Sequence, residues 1–374
     1  MNHNVSACVR KHETVGRIKN RITTLLSIGI AFYAVFGGML CADGDGFLPN
    51  QRIVSTVPPN GDLNPYGVAF VPEGFNSGGG PLRPGDILVS NFNNNMNLQG
   101  TGTTIMRVSA SGAVSTFFTG TTGLGLSTAL AVLQRGFVIV GNVPSTDGTC
   151  ATSTPGSLLV IDNAGNQVST ISDPNINGPW DMTILDQGNR AFAFVSNVFA
   201  GTVVRLNLNV NRNGVTVVSE TVIASGYQQR CDPVAFVVGP TGLVYDSNHD
   251  VLFVASTEDN AVFAVQHAAT RQNSGGTGTV IYTDAVHLHG PLAMAEAPNG
   301  HLLVSNSDVI NPDPNQPSEI VEFTKQGQFV KQLSVDPAQG GSFGLAVNVD
   351  GNTSFFAAVN DNTATLTIWK IPLQ

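Results

Sequence analysis

The chain of 374 residues carries 17 basic and 26 acidic side chains for a net charge of −9, and only 11% of its residues are charged, about half the usual share for a soluble domain. An acidic chain repels phosphate backbones, so nucleic acid is excluded as a partner. Hydrophobic residues at 42%, with 41 glycines, point to a sizeable core built from short strands and tight turns rather than from helices.

Residues 1–42 differ from the rest. Arg10, Lys11, Arg17, Lys19 and Arg21 precede an uncharged run of 21 residues from Ile22 to Ala42, and Asp43 and Asp45 follow. Positive before and negative after fits an N-terminus kept in the cytoplasm and a body passed across a membrane. The segment reads either as a signal peptide cut after Leu40-Cys41-Ala42 or as an uncleaved anchor long enough to span a bilayer. The protein is therefore expected to be exported, to a periplasmic or extracellular space, touching membrane only through this segment if it stays. This leader holds five of the 17 basic residues and one acid, so residues 43–374 carry a net charge of −13.

From residue 51 onward the chain repeats itself. The first copy reads Gly67–Phe70, Asp86–Asn91, Ile105–Val108 and Val114–Phe118, four short apolar runs each closed by turn residues, as an antiparallel meander requires. The opening run recurs at Ala129–Val132, Asp181–Ile184, Pro233–Phe236, Pro291–Met294 and Gly344–Val347, and the second at Phe137–Asn142, Ala193–Asn197, Leu252–Ser256, Leu302–Asn306 and Phe355–Asn360. A period of 52 to 62 residues with four strands per copy predicts propeller blades. The last copy ends at Leu366–Ile371 without a fourth strand, whereas Gln51–Val57 precedes the first copy and matches one. Pairing the two closes the ring and hides its edges. The expected fold is all-β: a six-bladed β-propeller of four-stranded antiparallel blades over residues 43–374, closed by the N-terminal strand.

The recurring turn and strand in Ala297-Pro298-Asn299-Gly300-His301-Leu302-Leu303-Val304-Ser305-Asn306 resembles the NHL-repeat propellers and the related gluconolactonase and regucalcin group, over residues 51–373. That resemblance implies a six-bladed fold whose ligands sit at the central funnel. In the gluconolactonases it also implies a divalent cation held by a Glu at the first inner strand; this chain has Asn64-Pro65-Tyr66 there.

Antiparallel geometry sorts the side chains that reach the funnel. His249, His267 and His301 fall on the opposite face, whereas His287 and His289 precede an inner strand, and i, i+2 spacing in an extended segment puts both on one side. They are candidates for catalysis together with Asp181 and Asp232. Asn91, Asn142, Asn197, Asn306 and Asn360 end the second strand in five of six copies. Such a ring either binds ligand or fastens turns, since Asn side chains mimic backbone. As ligands for Ca²⁺ or Zn²⁺ the candidates are Asn142, Asn197, Asn306, Asp181 and Asp232, oxygen donors suiting Ca²⁺. Tyr66, Trp180 and Phe343 form either a ligand-binding floor or core, and Arg230 is a candidate for an anionic group. Cys150 and Cys231 both map to the funnel face and form either a disulfide across its lip or two separate thiols. The expected function is a binding module for a small molecule, glycan or protein; the alternative is a metal-dependent hydrolase (lactonase- or esterase-like) or lyase.

Overall fold

A computed structural model describes residues 50–373; the leader, its cleavage site and its basic stretch lie outside the described residues. Six four-stranded antiparallel sheets surround one axis. The blades, each from inner to outer strand, are Leu63–Phe70, Ile87–Asn93, Thr104–Val108 and Val114–Thr119; Leu126–Leu133, Phe137–Asn142, Ser157–Asp162 and Gln167–Ile171; Pro179–Asp186, Arg190–Asn197, Thr202–Asn211 and Gly214–Ser225. The second half follows with Pro240–Asp246, Val251–Ser256, Ala261–Gln266 and Thr279–Tyr282; Pro291–Glu296, Leu302–Asn306, Glu319–Phe323 and Phe329–Ser334; and Ser342–Asp350, Thr353–Asn360 and Thr365–Pro372. Asn50–Ser55 supplies the last fourth strand, pairing antiparallel with Thr365–Lys370. Among the described residues the only helix is one 3₁₀ turn, Cys150–Thr152.

Burial explains why these runs became these strands. Second strands such as Ile87–Asn93 and Val251–Ser256 are buried along their whole length, because a neighbouring blade covers each face. Outermost strands such as Gln167–Ile171 and Phe329–Ser334 are mostly exposed, having a neighbour on one edge only. An apolar cluster fills each gap between neighbouring blades; the one joining the last blade to the first combines Val89 and Met106 with Val359 and Leu366.

Every inner strand carries a bulge near its start, between Pro65 and Val68 in the first blade and between Pro179 and Met182 in the third. The Ser-Asn pair ending the second strand explains it. Ser90, Ser196 and Ser305 each accept, at 3.0 Å, the backbone N–H freed by the bulge at Gly67, Asp181 and Ala293. The bulges also crowd the axis. A Cβ on Gly344 would stand 2.0 Å from the Tyr66 carbonyl oxygen, so only glycine fits there.

One expected strand is displaced. Pro233–Phe236 is not the inner strand of the fourth blade, which instead runs Pro240–Asp246. The earlier run belongs to an extra hairpin, Arg230–Asp232 paired with Phe236–Val238, with Val234 exposed at its tip. Both runs are short, apolar and led by proline; what separates them is that Phe236 has aromatic partners on the axis.

Candidate functional site

The bulges bring Tyr66, Trp180 and Phe343 to equivalent positions at the start of three inner strands. Tyr66 stacks on Phe343 with centroids 4.7 Å apart and meets Trp180 edge-on at 5.7 Å. Phe92 and the hairpin's Phe236 complete the cluster, each 5.3 Å or 6.2 Å from its ring neighbours. Trp180 is wholly buried, so it is core, whereas Tyr66 and Phe343 also face a cavity. This aromatic plug divides the axis in two.

Below the plug lies a channel of about 320 Å³ lined by the inner strands. Asp181 is on its wall. One carboxylate oxygen accepts the amide of Met182 at 2.7 Å and the other that of Leu243, from the next blade, at 3.0 Å. Burial pushes this carboxyl up to about 8 against the pull of those two donors.

Above the plug, on the face where inner strands begin, a pocket of about 280 Å³ is floored by Tyr66 and Phe343 and walled by Asn64, Asn93, Gln99, Gln339, Asp361 and the 230–238 hairpin. The hairpin is strapped over it. Cys231 is disulfide-bonded to Cys150 in the 3₁₀ turn, and Gln99 donates to the Val234 carbonyl at 2.8 Å. Polar groups here lack partners among the described residues. Asn64 Oδ1 and Asn93 Oδ1 accept nothing, and neither the Tyr66 hydroxyl nor the Asp361 carboxylate is hydrogen-bonded. Burial pushes Asp361 up to about 6. Burial first, then the Asp361 charge, raises the pKa of Tyr66.

None of the other residues singled out from the sequence lines this pocket. The strand-end asparagines are buried and engaged within the blades. Asn91 donates to the Thr56 carbonyl and Thr104 hydroxyl, Asn142 accepts from Ser157, and Asn197 accepts the Asn177 amide. Asn306 accepts from His289 N–H at 3.0 Å and donates to the His287 carbonyl at 2.8 Å, while Asn360 donates to Asp336. They fasten the loop or strand next to them. Asp232 accepts the amides of Val234 and Ala235 and pairs with Arg230, which also pairs with Glu258 at 3.0 Å. Burial alone would raise Asp232, but those donors hold its carboxyl below the ordinary range. The two histidines do not converge. His287 stacks on Phe329 and bonds Asp284 at 2.6 Å, whereas buried His289 faces the Asn311 and Val286 carbonyls, with Glu319 at 3.5 Å.

The oxygens named for Ca²⁺ or Zn²⁺ thus already face N–H or O–H donors. Among the described residues no three His, Cys, Asp or Glu side chains gather where a metal could sit. Those residues do not fit either ion.

Asn64, Asn93 and Asp361 were not anticipated. One clue existed for Asp361. The residue after each second strand's end motif is Phe92, Val143, Val198, Thr257, Ser307 and then Asp361, a single charge in an otherwise uncharged ring.

No protein-family model and no curated protein matches the chain. Solved structures do. A gluconolactonase-family protein superposes with TM-score 0.51 at 13% identity, covering 87% of this chain and 94% of that one. A protein assigned as a glucose dehydrogenase from Thermus thermophilus gives 0.50 at 12%, covering 86% and 100%. A catalytically inactive virginiamycin B lyase from Staphylococcus aureus, solved with quinupristin, gives 0.47 at 14%, covering 85% and 99%. The resemblance is one of fold: the chain is a six-bladed propeller of the architecture that the first two of these proteins share.

Proposed function

We propose that the protein is an exported binding module that holds a small polar molecule in the funnel-face pocket, between the Tyr66–Phe343 floor and the strapped hairpin. One observation carries the reading: buried acceptors and a free carboxylate converge over an aromatic floor, and the fold itself does not satisfy them. Buried polar groups are ordinarily paired, so unpaired ones gathered in a cavity mark a site. The disulfide suits an oxidising compartment, and among the described residues no helix is long and apolar enough to cross a membrane. Mass determination of the exported protein tests the leader: a mature chain beginning near Asp43 supports cleavage, and an intact residue 1 in the membrane fraction supports an anchor.

The binding test is a ligand-observed NMR screen of small polar fragments against the protein and its Tyr66→Phe and Gln99→Ala variants. Hits that weaken several-fold in either variant support the pocket. A screen with no hit sensitive to either change rejects it.

A hydrolase or lyase acting in the same pocket is the second reading, favoured by Asp361. A carboxyl poised at about 6 beside a tyrosine hydroxyl is matched to proton transfer near neutral pH. Ester or lactone turnover abolished by Asp361→Asn would support it; no turnover across such a panel would leave binding alone.

A further inference from the structure

The buried side-chain atoms of the lining that lack a partner are of one kind. Asn64 Oδ1 and Asn93 Oδ1 need donors, as does the Asp361 carboxylate beside them, and the Tyr66 hydroxyl makes no hydrogen bond. Asp361 is the only charged residue in the lining, and no Lys, Arg or His shares it. The nearest cation on the hairpin, Arg230, is already paired with Asp232 and Glu258.

The groups behind Asp361 add to the negative field. Asp336 is tied to Asn360 and Asn362 on either side of it, and Asp308 accepts the Gly340 amide. The body's net charge has the same sign. On the floor, the stacked Tyr66 and Phe343 rings border the pocket, an aromatic surface of the kind that attracts an organic cation. A bare divalent ion fits less well, since it wants six or more oxygens and gains nothing from aromatic faces.

We infer that the ligand of the funnel-face pocket carries an organic ammonium group, seated between the Asp361 carboxylate and the Tyr66–Phe343 rings with its N–H groups directed at Asn64 and Asn93. This rests on the pocket being the binding site. An ammonium supplies up to three donors and one positive charge, which is the complement of what the lining lacks. A cavity of about 280 Å³ stands at the lower edge of the small-molecule range, so the cation is a small amine rather than a peptide. Burial pushes Asp361 up to about 6, so amine binding weakens as pH falls through that value and the carboxylate protonates.

The test titrates 2-phenylethylamine and its uncharged counterpart 2-phenylethanol into the whole protein at pH 7.5, by calorimetry or ligand-observed NMR. The amine is expected to bind about tenfold or more tightly than the alcohol. Asp361→Asn should bring the two within about twofold of one another while the melting temperature holds, because that carboxylate makes no hydrogen bond in the fold. Equal affinity for both probes, or an amine preference that survives Asp361→Asn, overturns the inference. So does Ca²⁺ binding that competes with the amine and is lost in the same variant. Neutral or acidic fragments that bind through Tyr66, with no amine among them, reject the ammonium but keep the pocket. No fragment of any charge rejects both.

Discussion

Asp181 reaches out of its own blade to accept the backbone N–H of Leu243, on the next inner strand, at 3.0 Å. At the corresponding bulge position the first, fifth and sixth blades have Gly67, Ala293 and Gly344, residues with little or no side chain to bring into the crowded axis. The third blade places a carboxyl there and hangs it between its own Met182 amide and its neighbour's. It is one hydrogen-bonded link between two blades that are also joined by apolar packing and by Arg205, which donates to the Ala268 and Arg271 carbonyls.

That link has a pH signature. The folded pKa of about 8 stands above the ordinary 3.8, so between those values the native state keeps a proton that the unfolded chain releases. Stability from this group is fully present at low pH, falls as pH rises through the window from about 4 to about 8, and is level above it, with a limiting slope of about 1.4 kcal/mol per pH unit. Glu319, which burial also pushes up to about 8, adds a slope of the same sign. The measurement is therefore the difference in denaturant stability between wild type and Asp181→Asn, taken across pH 4 to 9. Parallel curves would show that Asp181 is ionised in the folded protein.

The Cys150–Cys231 bridge spans 81 residues of sequence and anchors the hairpin whose Phe236 completes the plug. Closing a loop of that length restricts the unfolded chain, and removing both cysteines as serines should cost about 2–4 kcal/mol. The hairpin should loosen more than the blades do. Hydrogen exchange at Arg230–Asp232 and Phe236–Val238 is expected to accelerate well before exchange at Val251–Ser256. Uniform acceleration would mean that the strap supports the whole ring, and no change would mean that the Gln99–Val234 contact and Phe236 packing hold the hairpin without it.

Repetition is what made the fold readable. Short runs closed by turn residues recur through six copies, four in each of the first five and three in the last, and the orphan strand at Asn50–Ser55 pairs where the last blade lacks one. The cysteine pairing was readable for the same reason, since strand order assigns each loop to a face. The fourth blade broke the pattern because Pro233–Phe236 and Pro240–Val244 look alike as strings, and only the aromatic cluster, assembled from distant blades, distinguishes them. The asparagine ring shows a second limit. Position put Asn197 and Asn306 on the funnel rim, but whether an amide turns to the axis or back to its own loop depends on nearby backbone donors. Asp361 was missed because one residue in one copy leaves no period.

Those inward-turned amides predict a stability effect rather than a binding effect. Asn306→Ala removes both the acceptor of the His289 N–H and the donor to the His287 carbonyl, leaving buried backbone groups unpaired at a cost of about 1–3 kcal/mol. Chemical denaturation should show that loss while affinity for any pocket ligand stays within twofold or so. A variant of unchanged stability that no longer binds ligand would instead return Asn306 to the site.

Ring closure can be tested by opening it. A protein beginning at Asn50 keeps the strand that pairs with Thr365–Lys370, and one beginning at Thr56 loses it, together with the packing of Val54 against the Val359–Leu366 cluster. The shorter protein exposes the unpaired edge of Thr365–Pro372, which invites pairing with a second copy, so it should melt earlier and form dimers or larger species in light scattering. The peptide Asn-Gln-Arg-Ile-Val-Ser-Thr-Val, residues 50–57, should restore both the monomer and the melting temperature by adding itself as a strand. A scrambled peptide of the same composition supplies backbone N–H and C=O groups equally well but sets Arg52 or Gln51 where Val54 packs, so rescue by both would mean that the edge accepts any extended chain. Rescue by the native peptide alone places closure in the side-chain register. A monomeric, equally stable protein starting at Thr56 would show that the six blades hold together without this strand.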